Sequence, residues 1–129
     1  MVSNLRLNPA DSVKSAVDYI RKTIRDEDIR LTCLEAMEPS PISRTDCESW
    51  DIICNAVSGT WKGCLVSPYL MVQCSDSRHY SSISDRVYRF SALEMTAEER
   101  RSIHGNDEHI RLECIPRAAE FFMRVMKQL

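Results

Sequence analysis

Pro68-Tyr69-Leu70-Met71-Val72-Gln73-Cys74-Ser75-Asp76-Ser77-Arg78-His79-Tyr80 is the stretch on which the fold turns. Its first five residues form a short, nearly continuous apolar run, the pattern of a strand buried on both faces. The polar residues that follow leave the carboxyl end of that strand, where open α/β sheets bind their ligands. The expected architecture is therefore α/β.

Helical signals flank this stretch. Upstream, Trp50, Ile53, Cys54 and Val57 share one face of a helix expected over about 46–57. Downstream, Val87-Tyr88-Arg89-Phe90 reads as another strand, and Thr96-Ala97-Glu98-Glu99 is a capping box opening a short helix. Pro116 stands near the first turn of a last helix, in which Ala118, Phe122, Val125 and Leu129 give an apolar stripe.

The beginning of the chain has a different grammar. Residues 2–7 alternate, with Asn4 and Arg6 on the open face of a half-buried strand. Asn8-Pro9 turns the chain, Asp11 or Ser12 caps a helix, and Val13, Ala16, Val17, Ile20 and Ile24 form its stripe. Residues 29–36 alternate again. Glu38-Pro39-Ser40-Pro41 interrupts both helix and central strand, so a domain boundary falls here, between residues 1–37 and 38–129. Two strands and one helix bury too little apolar surface to stand alone, and the first region reads as half of a domain.

Bulk properties narrow the function. In 129 residues, 43% are hydrophobic and 28% charged, with a formal charge of −2 and both signs interspersed. That balance gives no electrostatic case for nucleic acid or for an anionic membrane. No apolar run approaches a bilayer span, and the first residues lack a basic-then-apolar export signal, so a cytoplasmic location is expected. The six cysteines, 33, 47, 54, 64, 74 and 114, contain no C-x-x-C pair and are expected as free, buried thiols.

Two polar clusters carry the candidate chemistry. In Ser75-Asp76-Ser77-Arg78-His79, an arginine can grip a carboxylate with two parallel hydrogen bonds, although a solvated loop has the same composition. In His104-Gly105-Asn106-Asp107-Glu108-His109, imidazole and carboxylate are both zinc ligands. The spacing matches no compact zinc motif, so composition alone does not establish a metal site there.

In order and spacing, Ser75-Asp76-Ser77-Arg78-His79-Tyr80, Val87-Tyr88-Arg89-Phe90-Ser91 and Ile103-His104-Gly105-Asn106-Asp107-Glu108 resemble the C-terminal third of the co-catalytic two-zinc aminoacylase/carboxypeptidase family. The likeness is greatest to its carboxypeptidase S-like branch. Asn4-Leu5-Arg6-Leu7, with Pro9 and a helix after it, is similar to that family's lid. The resemblance implies the second half of an α+β lid, or dimerisation, domain over residues 1–37. Over 38–129 it implies the C-terminal part of a zinc-peptidase-like α/β catalytic domain. It further implies that His104 is a ligand of one of two zincs and that Arg78 recognises a substrate carboxylate. Asn4 would reach the reacting carbonyl across a homo-oligomer interface.

The family's substrates are small N-acyl amino acids or peptides, and its reaction is amide hydrolysis. The family glycines before the Ser/Thr-Asp pair are replaced by Gln73-Cys74. The His-x-Asp motif, the bridging carboxylate and the general-base glutamate are not found in these residues. The 129 residues alone are therefore expected to bind zinc weakly at most and to be inactive. The alternative is a stand-alone binding or oligomerisation module, and a further one is a single zinc held by His104 and His109.

Overall fold

In the computed structural model, residues 1–71, 73 and 75–129 are described. The expected strand over 68–72 and the Gln73-Cys74 pair fall partly on residues 72 and 74, outside the described residues. Among the described residues the elements are five helices: α1 (Val13–Ile24), α2 (Glu48–Thr60), α3 (Ser77–Tyr80), α4 (Ala97–Ser102) and α5 (Cys114–Met126). Among the described residues none is in a strand, and none of the helices is long and apolar enough to cross a membrane. Alternation at 2–7 and 29–36 equips a segment for a sheet, but a strand forms only against a partner that completes its ladder.

The chain divides into two compact units, Met1–Ser43 with Leu70–Val87, and Arg44–Tyr69 with Tyr88–Leu129. In the first unit, Ser12 and Ser15 close a capping box on α1, each hydroxyl accepting the other's backbone N–H at 2.9–3.0 Å. Val13 N–H, one of the helix's unpaired donors, is taken by the Glu38 carboxylate at 3.1 Å. At the other end Arg25 adopts left-handed backbone (φ 51°) and donates to the Arg21 carbonyl. Ser43 Oγ donates to Val87 O at 2.8 Å and accepts from Val87 N–H at 3.1 Å, tying the unit's two pieces. Its stripe is only partly covered: no described residue of this unit is buried.

The second unit contains the core. Helices α2 and α5 lie against each other. Ala56, Val57, Ala92 and Phe121 are buried there, with Ile53, Trp61, Val66, Ala118 and Val125 around them. The Phe121 ring centroid is 4.9 Å from Phe90 and 5.8 Å from Trp61. A Cβ at Gly59 of α2 would meet Nη1 of Arg124 from α5 at 2.7 Å, and that flexible side chain would have to shift. The face of α5 differs from the expected one. Phe121 is 2% exposed, whereas Phe122 is 54% and Leu129 90% exposed. Cys114, Ala118, Phe121 and Val125 form the inward stripe, so a second apolar stripe is left outside.

The five described cysteines are free thiols, but of these Cys114 is buried while Cys33 and Cys64 are exposed. Cys47 stands at the start of α2, 3.1 Å from the Tyr88 hydroxyl. That hydrogen bond, aided by the Trp50 backbone N–H, draws the thiol below its ordinary value. Burial pushes Cys54 the other way. Iodoacetamide at neutral pH is therefore expected to modify Cys47 well before Cys54, as peptide mapping by mass spectrometry would read. The reverse order would contradict this geometry.

Candidate functional site

The loop that carries His104 is built on one carboxylate. Thr96 caps α4, its hydroxyl accepting Glu99 N–H at 3.1 Å, and Glu99 Oε2 accepts Thr96 N–H at 2.6 Å in return. The other oxygen of Glu99 reaches forward, accepting both the backbone N–H and Nε of Arg111 at 3.1 Å. Glu99 thus grips the chain on both sides of residues 103–110. It is 4% exposed. The Thr96 backbone N–H, with Arg111 beside it, holds its carboxyl down at about 2 against burial.

Arg111 is itself fixed by Nη2 donating to the Glu94 carbonyl at 3.1 Å. Cys114 Sγ donates to the same carbonyl, and Glu94 pairs with Arg117. Glu94, Glu99, Arg111, Cys114 and Arg117 form one network under the loop.

Inside the loop, His104 sits in left-handed backbone with φ 65°, a conformation in which histidine is enriched but β-branched residues are strained. Its N–H donates to Glu108 Oε2 at 3.1 Å. Gly105 N–H returns to Ser102 O at 2.7 Å, and a Cβ at 105 would stand 2.9 Å from that oxygen, so the turn needs glycine. His104 is exposed. His109 is turned to its own loop, Nδ1 lying 2.7 Å from Asp107 O, which raises its pKa.

The zinc that the family resemblance implies does not fit these residues by themselves. A zinc site takes three or four protein donors. Among the described residues no group of three His, Cys, Asp or Glu side chains is placed to hold a metal ion. His104 offers one donor on an anchored loop, and no catalytic step through a metal follows from this chain alone.

The other two sequence-predicted residues belong to the first unit. Arg78 is half-buried in the single turn α3, with its N–H donating to Ser75 O at 3.2 Å. Ser75 Oγ and Ser77 Oγ are 2.5 Å apart at the entry to that turn. This segment reads from sequence as loop, because four residues show no helical period. Asn4 is exposed on a segment without regular structure. Asn4 and Arg78 thus fall in one unit and His104 in the other. Sequence reasoning missed the Glu99–Arg111 grip. The capping box was visible, but no local pattern marks a partner twelve positions later.

Known proteins match almost the whole chain. The "N-fatty-acyl-amino acid synthase/hydrolase PM20D1" of Xenopus tropicalis is 31% identical over 125 residues, 96% of this chain and 24% of that protein. "Probable carboxypeptidase S-like 2" of Dictyostelium discoideum is 23% identical over the same shares of each chain. "Probable carboxypeptidase S-like 1" of the same organism is 28% identical over 87% of this chain and 24% of that protein. The chain spans about a quarter of the length of the curated relatives it matches. No family model and no solved structure matches it.

Proposed function

From the kinship of this chain with the PM20D1 and carboxypeptidase S-like proteins of the M20 peptidase family, we infer that it serves amide hydrolysis as one part of such an enzyme. The observation that carries this reading is the match itself. It runs over 96% of the chain but 24% of the relative. The substrate proposed is a small N-acyl amino acid or peptide with a free carboxylate, and Arg78 is assigned to that carboxylate. His104 is assigned as one zinc ligand whose companions lie outside these residues, and Asn4 as a contact to the reacting carbonyl. The α/β architecture, the lid over residues 1–37 and association of copies through that lid are part of the same proposal. The strands expected at 2–7 and 29–36 would then pair with a sheet completed by further polypeptide.

Under this reading the 129 residues do not turn over substrate by themselves. The test is hydrolysis of an N-acyl amino acid, followed by release of the free amino acid, with zinc added. The chain alone should give background rate. Substituting it for the matching quarter of the Xenopus tropicalis relative should give activity, and His104→Ala in that chimera should lower it by about 10²–10³-fold, the scale for losing one group on which electrostatic stabilisation of the transition state depends. Clear turnover by the isolated chain, abolished by His104→Ala, would overturn the claim of inactivity.

A further inference from the structure

We propose that Glu108 is a positioning residue: its carboxylate holds the backbone of His104 in the left-handed conformation that sets where the imidazole points. The inference rests on the reading of His104 as a functional histidine, but the hold on its backbone is tested apart from that reading.

His104 has φ 65°. A residue with a side chain leaves this conformation readily, because Cβ crowds the following carbonyl oxygen. Relaxation to negative φ would rotate the Cα–Cβ bond about the chain and carry the ring with it. Two hydrogen bonds oppose that rotation. Gly105 N–H donates to Ser102 O at 2.7 Å and fixes the peptide after His104. His104 N–H donates to Glu108 Oε2 at 3.1 Å and fixes the peptide before it. Because peptides are planar, φ and ψ of His104 are the only soft rotations between those two fixed planes.

The neighbours of Glu108 do not share this role. The Asp107 side chain is fully exposed, and the His109 ring is turned to Asp107 O at 2.7 Å. Glu99 and Arg111 brace the loop from its two ends and make no hydrogen bond to His104. A glutamate in an exposed polar loop is free to face water, yet this one is turned back on the histidine four positions before it.

The test begins with the isolated chain and no added metal. Amide exchange at His104 is followed by NMR in the native sequence, in Glu108→Ala and in Glu108→Gln. The alanine should raise the exchange rate about tenfold, as for an amide that loses a charged acceptor. The glutamine keeps a carbonyl oxygen within reach and should preserve most of the protection. Helicity by circular dichroism should be equal in all three, since Glu108 lies outside the helices. The same substitutions are then made in the chimera with the Xenopus tropicalis relative. There Glu108→Ala should lower kcat by about 10–100-fold with little change in KM, the scale for losing a group that orients a functional histidine, and Glu108→Gln should restore most of it. Unchanged exchange at His104 in Glu108→Ala would overturn the proposal, and so would an active chimera whose kcat is indifferent to that substitution. A chimera inactive with its native residues would sink the proposed function instead, and the exchange measurement would still decide whether Glu108 holds His104.

Discussion

Phe121→Ala is expected to lower the stability of the second unit by about 3–5 kcal/mol, the range for emptying a buried phenylalanine site. The ring is 2% exposed and is shared by Trp61 and Phe90, which approach it from different parts of the unit. Removing it leaves a cavity that those rings cannot fill without leaving their own contacts. The core here is small: Ala56, Val57 and Ala92 complete its buried set. Domains are stable by only about 5–15 kcal/mol, and for a small one each kcal/mol moves the melting midpoint by roughly 4–8 °C. The substituted protein should therefore melt far lower or be unfolded at room temperature. Phe122→Ala, one position on, removes a ring that is 54% exposed and should cost a small fraction of that. The comparison is made by thermal melts followed through helicity and the fluorescence of Trp50 and Trp61 together. Equal effects at 121 and 122 would mean that the inward stripe of α5 is not the one described.

That pair of neighbours shows where sequence reading stops. Both stripes of α5 are apolar with helical spacing, so periodicity finds the helix but cannot rank its faces. The deciding partners lie elsewhere in the chain: the face that closes is the one whose Phe121 clusters with the buried Ala56 and Val57 of α2. Helices α1, α2, α4 and α5 were legible because their signals are local. Ser12 caps α1, Thr96 and Glu99 form a box, and apolar residues recur at helical intervals. What was not legible is held by pairs far apart in the chain: Val13 with Glu38, Cys47 with Tyr88, Glu99 with Arg111. Alternation at 2–7 and 29–36 describes the side chains a sheet would want and says nothing of where its other strands are. For the site, His104, Arg78 and Asn4 came from resemblance, since one histidine or one arginine in a polar loop has no distinguishing composition.

Glu99→Gln is the second substitution with a large expected effect, because it strikes the grip on the His104 loop. The carboxylate has acceptors at both oxygens: Oε2 takes Thr96 N–H and Oε1 takes two donors of Arg111. A glutamine keeps one oxygen and presents N–H groups where the other stood. Either the α4 cap or the Arg111 anchor then faces a donor with no acceptor, in a place where water scarcely reaches.

The consequence depends on pH, and its sign follows from the carboxyl being held at about 2, below its ordinary 4.5. A group whose folded value is lowered stabilises the fold fully above its unfolded value and progressively less as it takes up a proton. The stability gap between native protein and Glu99→Gln should be widest at neutral pH. It should begin to shrink below about pH 4.5 and be largely gone near pH 2, where about half of the native side chains have become neutral. Hydrogen exchange separates this local effect from a general loss of stability. Amides of residues 103–111 should exchange faster in the variant at pH 7, while those of α2 and the inward half of α5 keep most of their protection. A gap that stays constant from pH 7 to pH 2 would mean that the charge on Glu99 does not anchor the loop. His104 would then be held by its own turn at Ser102 and Gly105 and by the Glu108 carboxylate.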